Sequence, residues 1–375
     1  MMKKIVWFCQ NNLPDQLVTM VQDYLPGHDY RQYKTILSLC YTHSFWPRST
    51  SAPTPFRTDP GFFPTAFAHF GPNLDNFEHI TDQRCHWLKA NKWDRPWLVD
   101  WSGGFDTTLM ICAILKNLSE SDLDNITIGL TNTSIWENPI FYHTQIKNRF
   151  RTVDISRCEP NELGLHYHIT GEPADMLAGS GLAENAANSG IDLRLPWRSN
   201  QSQLIEFLST KSIGPIGARW LVEHMARDLD NRRHDSAEVN NLIEWFWHIN
   251  FDWKWITKIL PKFSPEQNNA QTYLGSLINW FESLEYQQWS IETGRYSLLS
   301  SSTGSRSYKP DWREYIYKFW RDDYHYNFKT KVASTSLSQT LPKTWACLLD
   351  DYSCLRADQD MEQILQLFPH VINNK

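Results

Sequence analysis

Short-range cysteine pairing is missing from this chain. Its seven cysteines lie at positions 9, 40, 85, 112, 158, 347 and 354, with no C-x-x-C. That spacing offers neither a common zinc framework nor a disulfide framework, and scattered thiols point to a reducing, cytoplasmic setting. A basic excess is missing as well. The formal charge is -6, which argues against a general nucleic-acid binder without excluding a local basic groove. No run approaches the roughly 20 apolar residues of a membrane span. The apolar stretch in "MMKKIVWFCQNN" is too short for a signal peptide, so no membrane partner is expected. There is no internal repeat and no low-complexity tract. G-K-[ST] occurs nowhere, which disfavours phosphate transfer in the Walker-loop manner.

What is present suits a folded protein with a large core. Of the 375 residues, 41% are hydrophobic and 21% charged, and aromatics are abundant, with 18 Trp, 15 Tyr and 19 Phe. "KKIVWFC" (3–9) reads as a strand and "LPDQLVTMVQDYL" after it as a helix. Residues 45–75, rich in Pro, Ser, Thr and Gly, read as a boundary or lid. From residue 95 the pattern becomes regular. Strands are expected at 96–101, 125–132, 151–156 and 164–170, with helices at 106–118 and 139–150. This alternation predicts an α/β fold with a doubly wound, mostly parallel sheet, in which ligands sit at the carboxyl ends of the strands. Helical spacing continues around 203–209, 216–230, 237–260 and 270–289. The expected organisation is an N-terminal region over 1–90, a nucleotide-binding domain over 91–265 and a Trp-rich extension over 266–375.

The chemistry concentrates in "WSGGFDTT" (101–108), set between a strand and a helix. Gly103 and Gly104 permit a tight backbone nest. The first helical N–H groups are unpaired, and Ser102, Thr107 and Thr108 add hydroxyls, so the turn suits a phosphate anion. Asp106 would repel phosphate unless a cation lies between them, which implies Mg²⁺. "SGGFDTT" resembles the SGG-x-D-[ST]-[ST] signature of the PP-loop ATP pyrophosphatases. That resemblance implies ATP as the nucleotide, cleavage between its α and β phosphates, and pyrophosphate held in this turn.

Two later stretches resemble the asparagine-synthetase branch of that superfamily. In "TGEPADMLAGSG" (170–181), Gly171, Glu172, Ala174, Asp175, Leu177 and Gly179 match its acidic loop, whereas Pro173, Met176, Ala178 and Ser180 do not. The resemblance implies that Asp175 shares magnesium with Asp106 across the pyrophosphate. In "NSGIDLRLPWRSNQSQLIEFL" (188–208), Gly190, Ile191, Asp192, Arg194, Pro196 and the run Leu204–Phe207 correspond, with Asp192 in place of a glutamate, Trp197 in place of a phenylalanine, and Ser199 or Asn200 near an aspartate. Asp192 and Arg194 are either a pair shaping the substrate wall or a structural ion pair. The interval between these two stretches is shorter than in the synthetases, and no glutaminase domain is recognisable. The resemblance therefore implies adenylation of a small-molecule, peptide or nucleoside substrate and C–N bond formation, with nitrogen arriving as ammonia, as an amine or from a partner.

Other candidates are less specific. Lys254 and Lys258, Arg194 and Arg198, and Lys329 and Lys331 are cations available to the leaving group. Thr131, Asn132 and Thr133, at the next strand tip, are expected near adenine or ribose. His166 and His168 share a strand face but lack a third metal ligand. The tryptophans of "EWFWHINFDWKWI" (244–256) suit a buried core or a dimer face better than a base-stacking surface. Rival readings are a PP-loop enzyme modifying a nucleobase or tRNA, and a non-catalytic nucleotide-binding interaction protein.

Overall fold

A computed structural model describes residues 76–130, 132–155, 165–179, 181–211, 213–231, 238–255, 276–296 and 309–329, together with the backbone of strands at 5–9, 344–348 and 354–356. The chain divides into two compact units. One comprises 70–179 and 272–336; the other comprises 1–69, 180–271 and 337–375. The expected boundaries at 90 and 265 do not coincide with this division.

The first unit is built on a five-stranded sheet. In chain order β1 (Ile5–Cys9) belongs to the other unit, and the sheet itself contains β2 (Trp97–Asp100), β3 (Ile126–Leu130), β4 (Arg151–Asp154), β5 (Tyr167–Thr170) and β6 (Leu277–Asn279). Every pairing in it is parallel, in the order β4-β3-β2-β5-β6. Four strands fall where the alternation predicts them. The fifth is a correction: 277–279 lies inside a segment whose spacing reads as helical, yet it extends the sheet beyond β5. The chain moves outward from β2 through β3 to β4, then returns to the opposite side of β2 as β5. The connections thus change direction between β2 and β5, and the carboxyl ends of those two strands flank the crevice this creates.

Helices α1 (Phe77–Asn91), α2 (Phe105–Asn117), α3 (Asn132–Glu137), α4 (Leu284–Glu292), α5 (Pro310–Trp320) and α6 (Asp323–Phe328) flank the sheet. The helix expected at 139–150 is a short turn, Pro139–Phe141, continued by a π-helical turn, Tyr142–Ile146. Helix α2 is buried along nearly all its length, from Thr107 to Ile114, because α1 and α5 both pack on it. Charge reinforces that packing: Lys116 of α2 reaches Glu78 and Asp82 of α1 at 2.8 and 2.7 Å, and Tyr315 of α5 donates to Asp82 at 2.6 Å. Phe77, Trp289 and Trp312 form an aromatic cluster linking α1, α4 and α5, with ring centroids 4.4–5.7 Å apart.

In the second unit, β1 pairs antiparallel with β7 (Thr344–Leu348), which pairs with β8 (Cys354–Arg356). The rest of its described chain is helical, at Gly181–Asn188, Gln201–Ser209, Gly214–Asn231 and Leu242–His248, the last continuing as a π-helical turn, Ile249–Trp253. Trp245, Trp247, Trp253 and Trp255 are all buried, so this tryptophan run is core and not a stacking platform. The expected helix after residue 12 and the segment 45–75 lie outside the described residues.

Trp312 is fully buried and its indole N–H makes no hydrogen bond. Trp312→Ala is therefore expected to cost about 3–5 kcal/mol by emptying this cluster. Trp312→Phe, which keeps a ring and removes the unsatisfied donor, is expected to cost far less. Denaturant titration of both variants checks the contrast.

Candidate active site

The turn after β2 delivers its backbone to the crevice. Gly103 lies at φ +78°, in the left-handed region open to glycine, and a Cβ there would collide with the carbonyl oxygen of Ser134 and with Cβ of Glu137. Gly104 caps α2 without any side-chain hydrogen bond. Thr108 is the first residue of the helix whose N–H finds a helical acceptor, Gly104 O at 3.0 Å. The amides of Phe105, Asp106 and Thr107 thus stand at an uncapped helix N-terminus, an arrangement that attracts anions.

The hydroxyls divide their work. Ser102 is exposed; its amide donates to Thr107 Oγ1 at 3.0 Å, and the two hydroxyls lie 3.1 Å apart. Thr107 thereby braces the turn. Thr108 is wholly buried and accepts the Trp101 indole N–H at 3.2 Å, so it serves packing behind the turn. Thr131 lies outside the described residues. Asn132 begins α3 at the tip of β3.

The loop after β5 comes directly against this turn. Gly171 follows Thr170 of β5, and a Cβ on it would sit 2.9 Å from Thr107 Cγ2 and 3.3 Å from Asp106 Cβ. A side chain would push the two loops apart. Glu172 accepts at its carbonyl from Phe281 N at 3.4 Å, and a 3₁₀ turn at Ala174–Met176 then presents Asp175. Strand β6 supports this loop from beneath, because Asn279 Oδ1 accepts from Thr170 Oγ1 at 3.0 Å.

Between the two loops sits Lys309. Its ammonium contacts Asp106 Oδ1 and lies 2.6 Å from Asp175 Oδ1, while its side chain is only 2% exposed. The structure therefore brings Asp106 and Asp175 to one point, with a cation that the sequence reading did not single out. Lys309 precedes Pro310, the first residue of α5, and has φ 53° and ψ 59°. A non-glycine residue in that region stores strain of about 1–3 kcal/mol, compensated here by the packing of α5 on α2.

A second buried cation lies nearby. Lys329 contacts Glu137 Oε1, and Glu137 is the side chain against which Gly103 is pressed. Arg313 locks the helical pair α5–α6 in place: its guanidinium donates to the carbonyls of Tyr326 and Lys329, both at 2.9 Å, and lies 4.3 Å over the ring of Phe105. Of the expected cations, Lys329 thus belongs to the surroundings of the turn. Lys258 and Lys331 fall outside the described residues. Arg194, Arg198 and Lys254 belong to the other unit. Asp192 and Arg194 form no side-chain ion pair; the Asp192 carboxylate accepts from the Arg194 amide at 3.0 Å, and Arg198 pairs with Asp230 at 2.7 Å. His168 is a strand histidine 2.6 Å from Asp100 Oδ1, and among the described residues it shares no ligand cluster with His166.

The electrostatics of the cluster favour a further cation. Asp106 keeps a quarter of its side chain exposed, yet the surrounding protein desolvates it and pushes its pKa up to about 6. Lys309 opposes this rise, whereas Asp175 and Glu172 reinforce it. Two carboxylates meet one ammonium here, and their donors are hard oxygens. The set fits Mg²⁺, which Asp106 and Asp175 would hold.

Comparison with protein-family models, with curated proteins and with solved structures finds no match for this chain.

The two glycines of the turn make different demands. Gly103→Ala meets both a forbidden φ and a collision, whereas an added Cβ on Gly104 would meet only Ser102 Oγ at 3.3 Å. Gly103→Ala is expected to lower the melting temperature, with Gly104→Ala milder; differential scanning fluorimetry reads the contrast.

Proposed function

We propose that this protein is an ATP-dependent, AMP-forming enzyme of the PP-loop kind, on a doubly wound nucleotide-binding sheet, that adenylates a substrate and couples AMP release to C–N bond formation. The observation that carries this reading is the meeting of Asp106 and Asp175 at Lys309, in the crevice between β2 and β5. A helix N-terminus free of any cap, two carboxylates and a buried ammonium together suit a magnesium-bound pyrophosphate better than any uncharged ligand. The resemblance of "SGGFDTT" and "GEPADMLAG" to the asparagine-synthetase branch supplies the reaction class.

In this reading the amides at the start of α2 and the Ser102 hydroxyl bind the β and γ phosphates. Asp106 and Asp175 would hold Mg²⁺, which would supply charge neutralisation of the polyphosphate. A substrate oxygen attacks the α-phosphorus, pyrophosphate leaves, and a nitrogen nucleophile then displaces AMP. Lys309 is poised where negative charge accumulates as the α–β bond breaks, and its contact with two carboxylates orients it before ATP arrives. The protein contributes position and electrostatics; no side chain becomes covalently attached.

ATP–pyrophosphate exchange, run with Mg²⁺ against a panel of carboxylates and amines, tests the reading. Exchange is expected in the wild type and absent in Asp106→Ala; wild-type exchange in that variant would refute the mechanism. Lys309→Met is expected to lower kcat by about 100- to 1000-fold with a smaller change in KM, as for loss of a donor aimed at developing charge.

The raised pKa of Asp106 sets a pH dependence. The folded protein holds this proton more tightly than the unfolded chain does, so the carboxylate is protonated below about pH 6 and cannot then hold a cation. Mg²⁺-dependent nucleotide affinity is expected to rise with pH through that value and to fall away below it. Asp106→Asn should flatten the profile in isothermal titration calorimetry.

A further inference from the structure

The second unit contains a cluster that the proposed reaction does not use. Asp228, His248 and Asp252 are each no more than 1% exposed, and one donor atom from each lies within 4.8 Å of the others. Asp228 comes from the helix Gly214–Asn231. His248 ends the helix Leu242–His248, and Asp252 sits in the π-helical turn that follows it. The spacing His-x-x-x-Asp puts the imidazole and the second carboxylate on one face of that continuous helical segment. Single π-helical turns inside helices are frequent at functional positions, because the extra residue re-aims side chains.

Two features distinguish this cluster from a hydrogen-bonded core histidine. His248 Nε2 is fully buried and makes no hydrogen bond. Its distance to Asp228 Oδ2 is 3.7 Å, too long for such a bond. It is close instead to the edge of a tetrahedron with metal–ligand bonds of about 2.1 Å, which is roughly 3.4 Å. Trp253 Nε1 donates a hydrogen bond to the same carboxylate oxygen at 3.4 Å. Trp245, Trp247 and Phe251 are buried in the same helical segment. A buried imidazole and two buried carboxylates converging on one point form a donor set for a divalent cation.

We infer that Asp228, His248 and Asp252 bind a divalent transition-metal ion, with zinc the best match to one nitrogen and two oxygen donors. The site is closed to solvent, so the ion is structural: it ties the helix Gly214–Asn231 to the π-helical turn. It is separate from the magnesium expected at Asp106 and Asp175, and it stands whether or not the chain adenylates a substrate.

Full-length protein from zinc-supplemented growth, analysed by inductively coupled plasma mass spectrometry, is expected to carry about one zinc per chain. His248→Ala and Asp252→Asn should lose it, whereas Asp106→Asn should retain it, which separates this site from the magnesium site. Chelation should lower the melting temperature of the wild type, with zinc restoring it. Should the variants fail to fold, Co²⁺ added to chelated wild-type protein decides: intense visible absorption of a low-coordinate nitrogen–oxygen site supports the assignment. Wild-type protein that contains no transition metal and binds neither Zn²⁺ nor Co²⁺ would overturn it, as would folded His248→Ala that keeps its zinc.

Discussion

The ammonium of Lys309, held between the carboxylates of Asp106 and Asp175, is the contact on which the candidate site depends. Two carboxylates brought together in a partly desolvated crevice repel each other, and without a cation the loops carrying them would be driven apart. One buried ammonium offsets that repulsion without cancelling it. The surplus negative charge is what the proposed reading assigns to a metal ion, which would let a phosphate chain approach an acidic pocket.

Several otherwise unrelated features serve this contact. Gly171 has no side chain, so the acidic loop can lie on the first turn of α2. Arg313 ties α5 to α6 through the carbonyls of Tyr326 and Lys329, and its position over Phe105 ties both to the glycine turn before α2. The strained backbone of Lys309, immediately before Pro310, aims the ammonium inward from the start of α5. The segment 272–336 is thus integral to the sheet unit: β6 supports the acidic loop, α4 and α5 complete its aromatic core, and the residue before α5 supplies the cation.

Much of the sheet was legible because its signals are local. "PWLVDW" and "NITIGLTN" are compact apolar runs next to strong helix and turn signals, and "SGGFDTT" joins the special backbone needs of a turn to a helix start. The crevice itself was legible in part, since two acidic loops following two parallel strands are where such a sheet binds ligands. Other elements were not. Leu277–Asn279 has only three residues, too few to show a period of two, and its strand character comes from pairing with β5. The helix expected over 139–150 gives way to a π-helical turn, which apolar spacing does not foretell. Lys309 carries no motif; it lies 203 residues from Asp106, and only packing brings it there.

Sequence alone determined the local chemistry of this protein: which turn can accept an anion, which loops carry acid, and which segments alternate as parallel strand and helix. Those properties follow from backbone sterics and side-chain periodicity over a few residues. The tertiary structure decided which of the many lysines and arginines would face the carboxylates, and that the tryptophan run would be core. It also decided that Asp228, His248 and Asp252 would converge. Charge pairing and burial depend on distances in space, and those distances are set by the packing of elements that lie far apart along the chain.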